Sequence, residues 1–270
     1  MRESFALIFQ PFRPETRAAA ERCQELLAQW GIFAELLAAS DLPRRSPLGF
    51  VLALTFGGDG TALRAAAWLV GTGIPIVPIK MGKLSFLAEL SPEDLPRALA
   101  PLVERQYRLD ERVMLRACHG TTEVVGLNDV VVGRGAASRA VRLDVFVDRA
   151  LLARYTSDGI VVSTPTGSTA YALAAGGPVL APSLRAMLLV PIAPHLTQLR
   201  ALVVPGEARI EIVVHTVQPA ILTVDGHLDL PVADGERVCI ELAAETTRFA
   251  RLGTEADFYR LLEARLTRRE

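Results

Sequence analysis

The chain has 270 residues, half of them apolar, which is enough for one large hydrophobic core or two ordinary ones. Its 29 Lys and Arg residues are balanced by 30 Asp and Glu residues, and this near neutrality argues against binding to nucleic acid as the main function. No apolar stretch reaches the roughly 20 residues that a membrane-spanning helix needs, so the sequence predicts a soluble protein without a membrane partner.

Cysteine and histidine residues are few and scattered. Cys23, Cys118 and Cys239 are odd in number, and their spacing matches no metal-binding motif. The four histidines likewise lack the paired spacing that metal ligands show on a helix or hairpin. The sequence therefore predicts reduced thiols in a cytoplasmic protein and argues against a dedicated zinc site.

The N-terminal part of the chain alternates between strand-like and helix-like patterns. Helices are predicted at 14–30, with Gly31 just past the end, and at 91–104, which begins with Ser-Pro-Glu-Asp. Such alternation is typical of a parallel sheet covered by helices, and we expect an α/β domain over residues 1–112. Its strands are predicted from short apolar runs at 5–9, 32–37, 50–56 and 74–79.

From about Val113 the pattern changes to apolar and polar residues in alternation, with turn residues between the segments. This pattern predicts an antiparallel, sandwich-like β domain over residues 113–250. Helical periodicity returns near the end, and we expect a helix within 251–270 that packs back on the first domain. The residues that carry this last periodicity are Phe258, Leu261, Leu262 and Leu266.

The most informative motif follows the predicted strand at 50–56 and reads Gly57-Gly58-Asp59-Gly60-Thr61. Glycines let a ligand approach the backbone, and free N–H groups at a helix start attract anions. The motif therefore predicts a phosphate-binding loop, with Thr61 capping the helix that follows. Asp59 indicates a magnesium ligand or a base for a hydroxyl proton. A simple Asp-Gly hairpin is the alternative, but residues 62–70 make a poor second strand.

Three polar motifs lie in the β-rich half of the chain. Residues 157–171 are rich in hydroxyl groups and suit a ribose, a phosphate or an adenine edge, although such loops also cap their own helices. Asn128 and Asp129 precede a predicted strand, where they would form a turn or contact sugar hydroxyls. Asp225-Gly226-His227 predicts a hairpin turn.

In order and spacing, these motifs resemble the NAD kinase family. The Gly-Gly-Asp-Gly-Thr loop is shared with lipid kinases and related to phosphofructokinases, and the Thr-Pro-Thr-Gly-Ser-Thr-Ala-Tyr stretch at 164–171 narrows the resemblance to NAD kinases. The resemblance covers nearly the whole chain. It implies ATP-dependent phosphorylation of the adenosine ribose 2′-hydroxyl of NAD to give NADP, with a divalent metal such as Mg²⁺, in a cytoplasmic homodimer or homotetramer.

The resemblance also assigns site residues. The acid that activates the hydroxyl falls on Asp59, as general base. The nucleotide and dinucleotide contacts fall on Gly57, Gly58, Gly60, Thr61, Asn128, Asp129, Asp158, Thr169, Ala170, Tyr171 and Ala174. Because these residues come from both halves of the chain, we expect a ligand cleft between the two predicted domains. Four further correspondences lie where residue types vary within the family, at Arg64, Arg139, Thr156 and His227.

The chain departs from the family pattern after the predicted strand at 74–79. Lys80 and Ser85 stand where many bacterial members have an asparagine and a glycine. Lys80 or Lys83 would then hold ATP phosphates or simply be solvated. Two other functions remain open at this stage, namely a lipid or small-alcohol kinase and a dinucleotide sensor that has lost the use of ATP. The 157–171 stretch argues against the first, and the intact Asp59 argues against the second.

Overall fold

The computed structural model describes residues 4–82, 85–135, 140–195, 200–254 and 256–266. The chain forms two compact units. One unit comprises the residues up to Glu111 together with those from Thr247 onward, and the other runs from Arg112 to Thr246.

The first unit is a parallel sheet with helices. In sheet order the strands are β2-β1-β3-β4, with bounds β1 (Ser4–Phe9), β2 (Phe33–Ala38), β3 (Phe50–Gly57) and β4 (Ile76–Lys80). Three helices belong to this unit: α1 (Pro14–Gln29) follows β1, α2 (Asp59–Trp68) follows β3, and α3 (Leu95–Val103) follows β4. A turn capped by Ser91 and Asp94 precedes α3, as the Ser-Pro-Glu-Asp start predicts.

β3 shows why this sequence forms a parallel sheet. Six of its eight residues are buried, because helices cover such sheets on both faces and the strands must be apolar throughout. Leu54 and Phe56 of this strand pack in one core with Leu7 of β1 and Leu27 of α1. The strand ends at Gly57, so the core fixes the point at which the Gly-rich loop begins.

The second unit is a pair of antiparallel sheets. The strand bounds are β5 (Arg108–His119), β6 (Thr122–Gly126), β7 (Asp129–Gly133), β8 (Val141–Val147), β9 (Ala150–Ser157), β10 (Gly159–Ser163), β11 (Ala186–Ile192), β12 (Leu202–Pro205), β13 (Ile210–His215), β14 (Ala220–Val224), β15 (Leu228–Val232) and β16 (Arg237–Arg251). β5 begins, and β16 ends, among residues that belong to the first unit. In one sheet the strands of the second unit have the order β16-β13-β8-β9, with β5 paired to β16 and β6; the other sheet has the order β12-β11-β10-β7-β14-β15.

Alternation along the strands builds the core of this unit. Ile210, Ile212 and Val214 are buried, and the residues between them are partly exposed. These three side chains share one core with Val130 of β7 and Ile160 of β10, which belong to the other sheet. The predicted sandwich is therefore confirmed. A single helical turn, α4 (Tyr171–Ala174), follows the hydroxyl-rich stretch.

The C-terminal helix, α5 (Ala256–Leu266), belongs to the first unit. Phe258, Leu261 and Leu262 on this helix are half-buried rather than fully buried. The predicted combination of an α/β part, a β-sandwich part and a final helix is thus confirmed. None of the described helices has the length and apolar character that crossing a membrane requires.

Candidate active site

The Gly-rich loop joins the end of β3 to the start of α2. Gly58 is the N-cap residue, with φ −90° and ψ −176°, and its carbonyl accepts a hydrogen bond from the N–H of Thr61 at 3.0 Å. Asp59 is the first residue of the helix, where the partial positive charge of the helix start favours a carboxylate. The predicted cap at Thr61 is therefore wrong. Thr61 is the third residue of the helix, and none of the described side chains caps α2.

The three glycines of the loop serve different purposes. A Cβ atom at Gly57 would lie 2.2 Å from Oγ1 of Thr61, so packing within the protein itself requires glycine there. A Cβ atom at Gly58 or Gly60 would meet no described atom within 4 Å, and neither residue has a positive φ. The fold does not demand glycine at these two positions, and the space beside them is open to a ligand.

The carboxylate of Asp59 is held by the segment that follows β4. Oδ1 accepts hydrogen bonds from the Ser85 hydroxyl at 2.5 Å and from the Leu87 N–H at 3.3 Å. Among the described residues, Oδ2 accepts one hydrogen bond, from the Phe86 N–H at 2.8 Å. A carboxylate has about four lone-pair sites, so one site on Oδ2 remains for a proton donor from outside.

Lys80 and Arg64 are the two described basic residues of the first unit that the sequence analysis named for this site. Lys80 ends β4 and is paired in register with Gly57, which places its backbone at the same sheet edge as the Gly-rich loop. The pKa of the Glu93 carboxyl is lowered, mainly by its hydrogen bond to Ser91 and in smaller part by the charge of Lys80. Arg64 is exposed on α2. Lys83 lies outside the described residues.

A second cluster of candidate residues lies at the start of β7. The Asp225 carboxylate accepts hydrogen bonds from the N–H groups of Leu127 at 2.7 Å, Asn128 at 2.7 Å and Asp129 at 3.1 Å. The predicted hairpin turn is present, because Asp225 and Gly226 both have positive φ, as a tight turn between β14 and β15 needs. Asp225 thus both forms the turn and fixes the backbone of Asn128 and Asp129.

The hydroxyl-rich stretch packs against the same backbone. The Asn128 carbonyl accepts hydrogen bonds from the Thr164 N–H at 2.9 Å and from the Ser163 hydroxyl at 3.2 Å. A Cβ atom at Gly167 would lie 2.1 Å from that carbonyl oxygen, so only glycine allows the approach. The Thr164 hydroxyl donates to the Leu127 carbonyl at 2.7 Å. The structure therefore brings residues 127–129 and 163–167 together around one rigid turn.

Burial changes the acidity of both aspartates in this cluster. Desolvation, and then the nearby charge of Asp225, raise the pKa of Asp129 from 3.8 to about 7. Desolvation also raises the pKa of Asp225, although the three backbone N–H donors oppose the change. Asp129 therefore changes its charge near neutral pH.

The other predicted site residues of the second unit differ in their contacts and in their exposure to solvent. Asp158 pairs with Arg134, its Oδ1 lying 2.9 Å from Nη1 of the arginine. Thr156 lies near the end of β9, and its carbonyl accepts a hydrogen bond from the His195 N–H at 2.8 Å. Thr169 and Ala170 are half-buried, whereas Tyr171, Ala174 and His227 are exposed. Arg139 lies outside the described residues.

Sequence reasoning missed two functional candidates, Ser85 and Asp225. The signal for Ser85 was its departure from the glycine of the family pattern, which drew attention to the backbone but not to a hydroxyl contact. The signal for Asp225 was its turn motif, which explained the residue without a further role. Neither contact can be read from local sequence, because 26 residues separate Ser85 from Asp59 and 97 separate Asp225 from Asn128.

Two family models match the chain. The ATP-NAD kinase N-terminal domain matches residues 38–107, and the ATP-NAD kinase C-terminal domain matches residues 127–252. The NAD kinase of Moorella thermoacetica is 44% identical over 218 residues, which are 79% of this chain and 70% of that protein. The NAD kinase of Acidobacterium capsulatum is 38% identical over 248 residues, which are 90% and 86% of the two chains. The chain belongs to the NAD kinase family.

Solved structures agree with this assignment. An NAD kinase from Archaeoglobus fulgidus in complex with ATP superimposes with a TM-score of 0.83 at 26% identity, covering 97% of this chain and 99% of that one. Yeast NADH kinase complexed with NADH has the same fold, with a TM-score of 0.86 at 24% identity and coverage of 98% and 87%. The predicted family, its phosphotransferase class and the ATP-dependent phosphorylation of NAD are confirmed.

Proposed function

We propose that Asp59 is the general base of this NAD kinase, taking the proton of the ribose 2′-hydroxyl as that oxygen attacks the γ-phosphorus of ATP. The new bond joins the ribose oxygen to phosphorus, the bond to the β–γ bridging oxygen breaks, and ADP leaves. The observation that carries the proposal is the hydrogen bonding of the Asp59 carboxylate. Three donors from residues 85–87 fix its orientation, and Oδ2 keeps one lone-pair site for the incoming hydroxyl.

The Gly-rich loop is proposed to hold the ATP phosphates. Gly58 and Gly60 leave open space where any other residue would place a Cβ atom, and both lie at the start of α2. Free N–H groups and the helix dipole favour phosphate oxygens at such a position. Gly57 and Thr61 are proposed to act indirectly, because their close packing fixes the path of the loop. Arg64, exposed on the same helix, is a further candidate for a phosphate contact.

The cluster around Asp225 is proposed to hold the dinucleotide. The backbone of Asn128 and Asp129 is already held by Asp225, which lowers the entropy cost of ordering this loop when a ligand binds. Tyr171 is 44% exposed at the start of α4, and its ring offers a stacking surface for a base. The other proposed dinucleotide residues are Arg139, Thr156, Asp158, Thr169, Ala170, Ala174 and His227.

A divalent metal is proposed to reach the enzyme bound to ATP. Among the described residues, no group of three or more His, Cys, Asp and Glu side chains is placed to hold a metal ion. Donors from the described residues occupy three of the about four lone-pair sites on Asp59, so that carboxylate offers at most one ligand. Mg²⁺ keeps several waters and is usually held through substrate phosphates, which fits this donor set. When bound, the ion neutralises charge on the transferring phosphoryl group.

Replacing Asp59 tests the base. Asp59→Asn should lower kcat about 10²–10⁴-fold while the variant stays folded and keeps most of its NAD affinity. Asp94→Asn makes the same change at another helix start in the same unit and should leave kcat unaltered. Asp59 would not be the base if the folded Asp59→Asn variant kept more than about a tenth of the wild-type rate.

The homodimeric or homotetrameric state and the cytoplasmic location stay predictions. Analytical ultracentrifugation would measure the oligomeric state.

A further inference from the structure

The hydroxyl of Ser85 connects the Asp59 carboxylate to the turn that follows β4. Ser85 is only 2% exposed, and its hydroxyl donates to Oδ1 of Asp59 at 2.5 Å. The hydroxyl oxygen of Ser85 also accepts hydrogen bonds from the N–H groups of Leu87 at 3.2 Å and Ala88 at 2.8 Å. One buried oxygen atom therefore has three partners, and all of them lie in the first unit.

We propose that Ser85 is a positioning residue for the phosphoryl transfer, which keeps Oδ2 of Asp59 turned toward the acceptor hydroxyl. This inference rests on the proposed role of Asp59 as the base. Ser85 supplies the only side-chain donor to that carboxylate among the described residues, since the other two donors are backbone N–H groups. It stands where the family pattern has glycine, which has no hydroxyl to donate.

The unequal number of hydrogen-bond donors to the two carboxylate oxygens explains how Ser85 would orient Asp59. With Ser85 present, Oδ1 accepts two hydrogen bonds and Oδ2 accepts one, so the vacant lone-pair site lies on Oδ2. Without the hydroxyl, Oδ1 retains only the longer contact with the Leu87 N–H. The two oxygens become nearly equivalent as acceptors, and the carboxylate can rotate between orientations of which only one serves the acceptor hydroxyl. Loss of such positioning lowers kcat more than substrate affinity.

The test compares Ser85→Ala and Ser85→Gly with Ser91→Ala. Ser85→Ala should lower kcat about tenfold, because the lost hydrogen bond goes to a charged group, and should change KM for ATP and NAD less than about twofold. Ser85→Gly should behave alike and provides a second variant if the alanine protein does not fold. Ser91→Ala is the matched control, since Ser91 also donates to an aspartate, Oδ2 of Asp94 at 2.8 Å. It should leave kcat unchanged.

The same substitution in an Asp59→Asn background separates positioning from a general structural effect. If Ser85 acts through Asp59, the double variant should show no further loss of kcat beyond Asp59→Asn. A wild-type kcat in both Ser85 variants would overturn the inference, as would an equal loss in the two backgrounds. A high rate for Asp59→Asn alone would instead overturn the proposed base, so the two failures are distinct.

Discussion

The Asp225 carboxylate accepts a hydrogen bond from the backbone N–H of Asn128 at 2.7 Å, across 97 residues of sequence. This contact joins a hairpin turn to the start of a neighbouring strand, and two more N–H groups from the same segment complete it. A half-buried carboxylate that accepts three backbone hydrogen bonds from one segment fixes the path of that segment. The candidate dinucleotide residues therefore have a rigid support.

Two glycines of the Gly-rich loop should respond in opposite ways to replacement by alanine. Gly57→Ala forces a Cβ atom against Thr61 and should destabilise the protein by roughly 1–3 kcal/mol. Gly60→Ala meets no described atom and replaces a glycine within a helix, so it should stabilise the fold by about 0.5–1 kcal/mol. If Gly60 lies against the phosphates, the more stable variant should nevertheless bind ATP more weakly. Urea denaturation and ATP titration measure the two effects, and unaltered ATP affinity in Gly60→Ala would contradict the phosphate role.

Asp129 should make stability depend on pH. Its pKa is raised to about 7 in the folded protein, so between about pH 4 and 7 the folded state holds a proton that the unfolded state has lost. The stabilising contribution is complete below about pH 4 and is lost as pH rises through 7. Asp129→Asn removes this pH-dependent contribution. The free energy of unfolding of the variant minus that of the wild type should therefore increase by roughly 2–3 kcal/mol from about pH 5 to about pH 8. Denaturation curves at the two pH values giving the same difference would contradict the raised pKa.

Asn128→Ala and Asp129→Ala should weaken NAD binding more than ATP binding. Each removes a polar group from the supported loop, and an unpaired partner on a bound ligand costs roughly 1–3 kcal/mol. Asp229→Ala is a suitable control, because Asp229 accepts a hydrogen bond from Thr223 at 2.7 Å on the exposed surface of the β14–β15 hairpin. Its NAD affinity should equal that of the wild type. Calorimetric titrations that find the same NAD affinity in all three variants would remove Asn128 and Asp129 from the site.

Truncation after Gly253 should destabilise the first unit, because α5 belongs to it. Phe258, Leu261 and Leu262 are half-buried, so each should contribute about half of the roughly 1.5–3 kcal/mol that full burial provides. The melting temperatures of the full-length and truncated proteins measure the effect. An unchanged melting temperature would show that the helix contributes nothing to the stability of the unit.

Local patterns were sufficient for the fold and for the main motifs. Continuous apolar runs such as β3 and alternating ones such as β13 arise from burial on two faces or one, and this difference is visible within a few residues. The Gly-rich loop was recognised for the same reason, since its glycines, acid and helix start are contiguous. The predicted capping role of Thr61 was wrong because the helix begins at Asp59, with Gly58 as its N-cap residue, and Gly58 has no side chain.

The sequence by itself determined the fold class and the family, and it predicted the residues of a phosphate-binding loop and of a dinucleotide site. Only the tertiary structure decided which groups orient them, namely Ser85 for Asp59 and Asp225 for Asn128 and Asp129. The reason is physical. Secondary structure depends on interactions between near neighbours, whereas a hydrogen bond across 26 or 97 residues depends on how strands and turns are packed together. The shift in the pKa of Asp129 likewise comes from burial, which exists only in the folded chain.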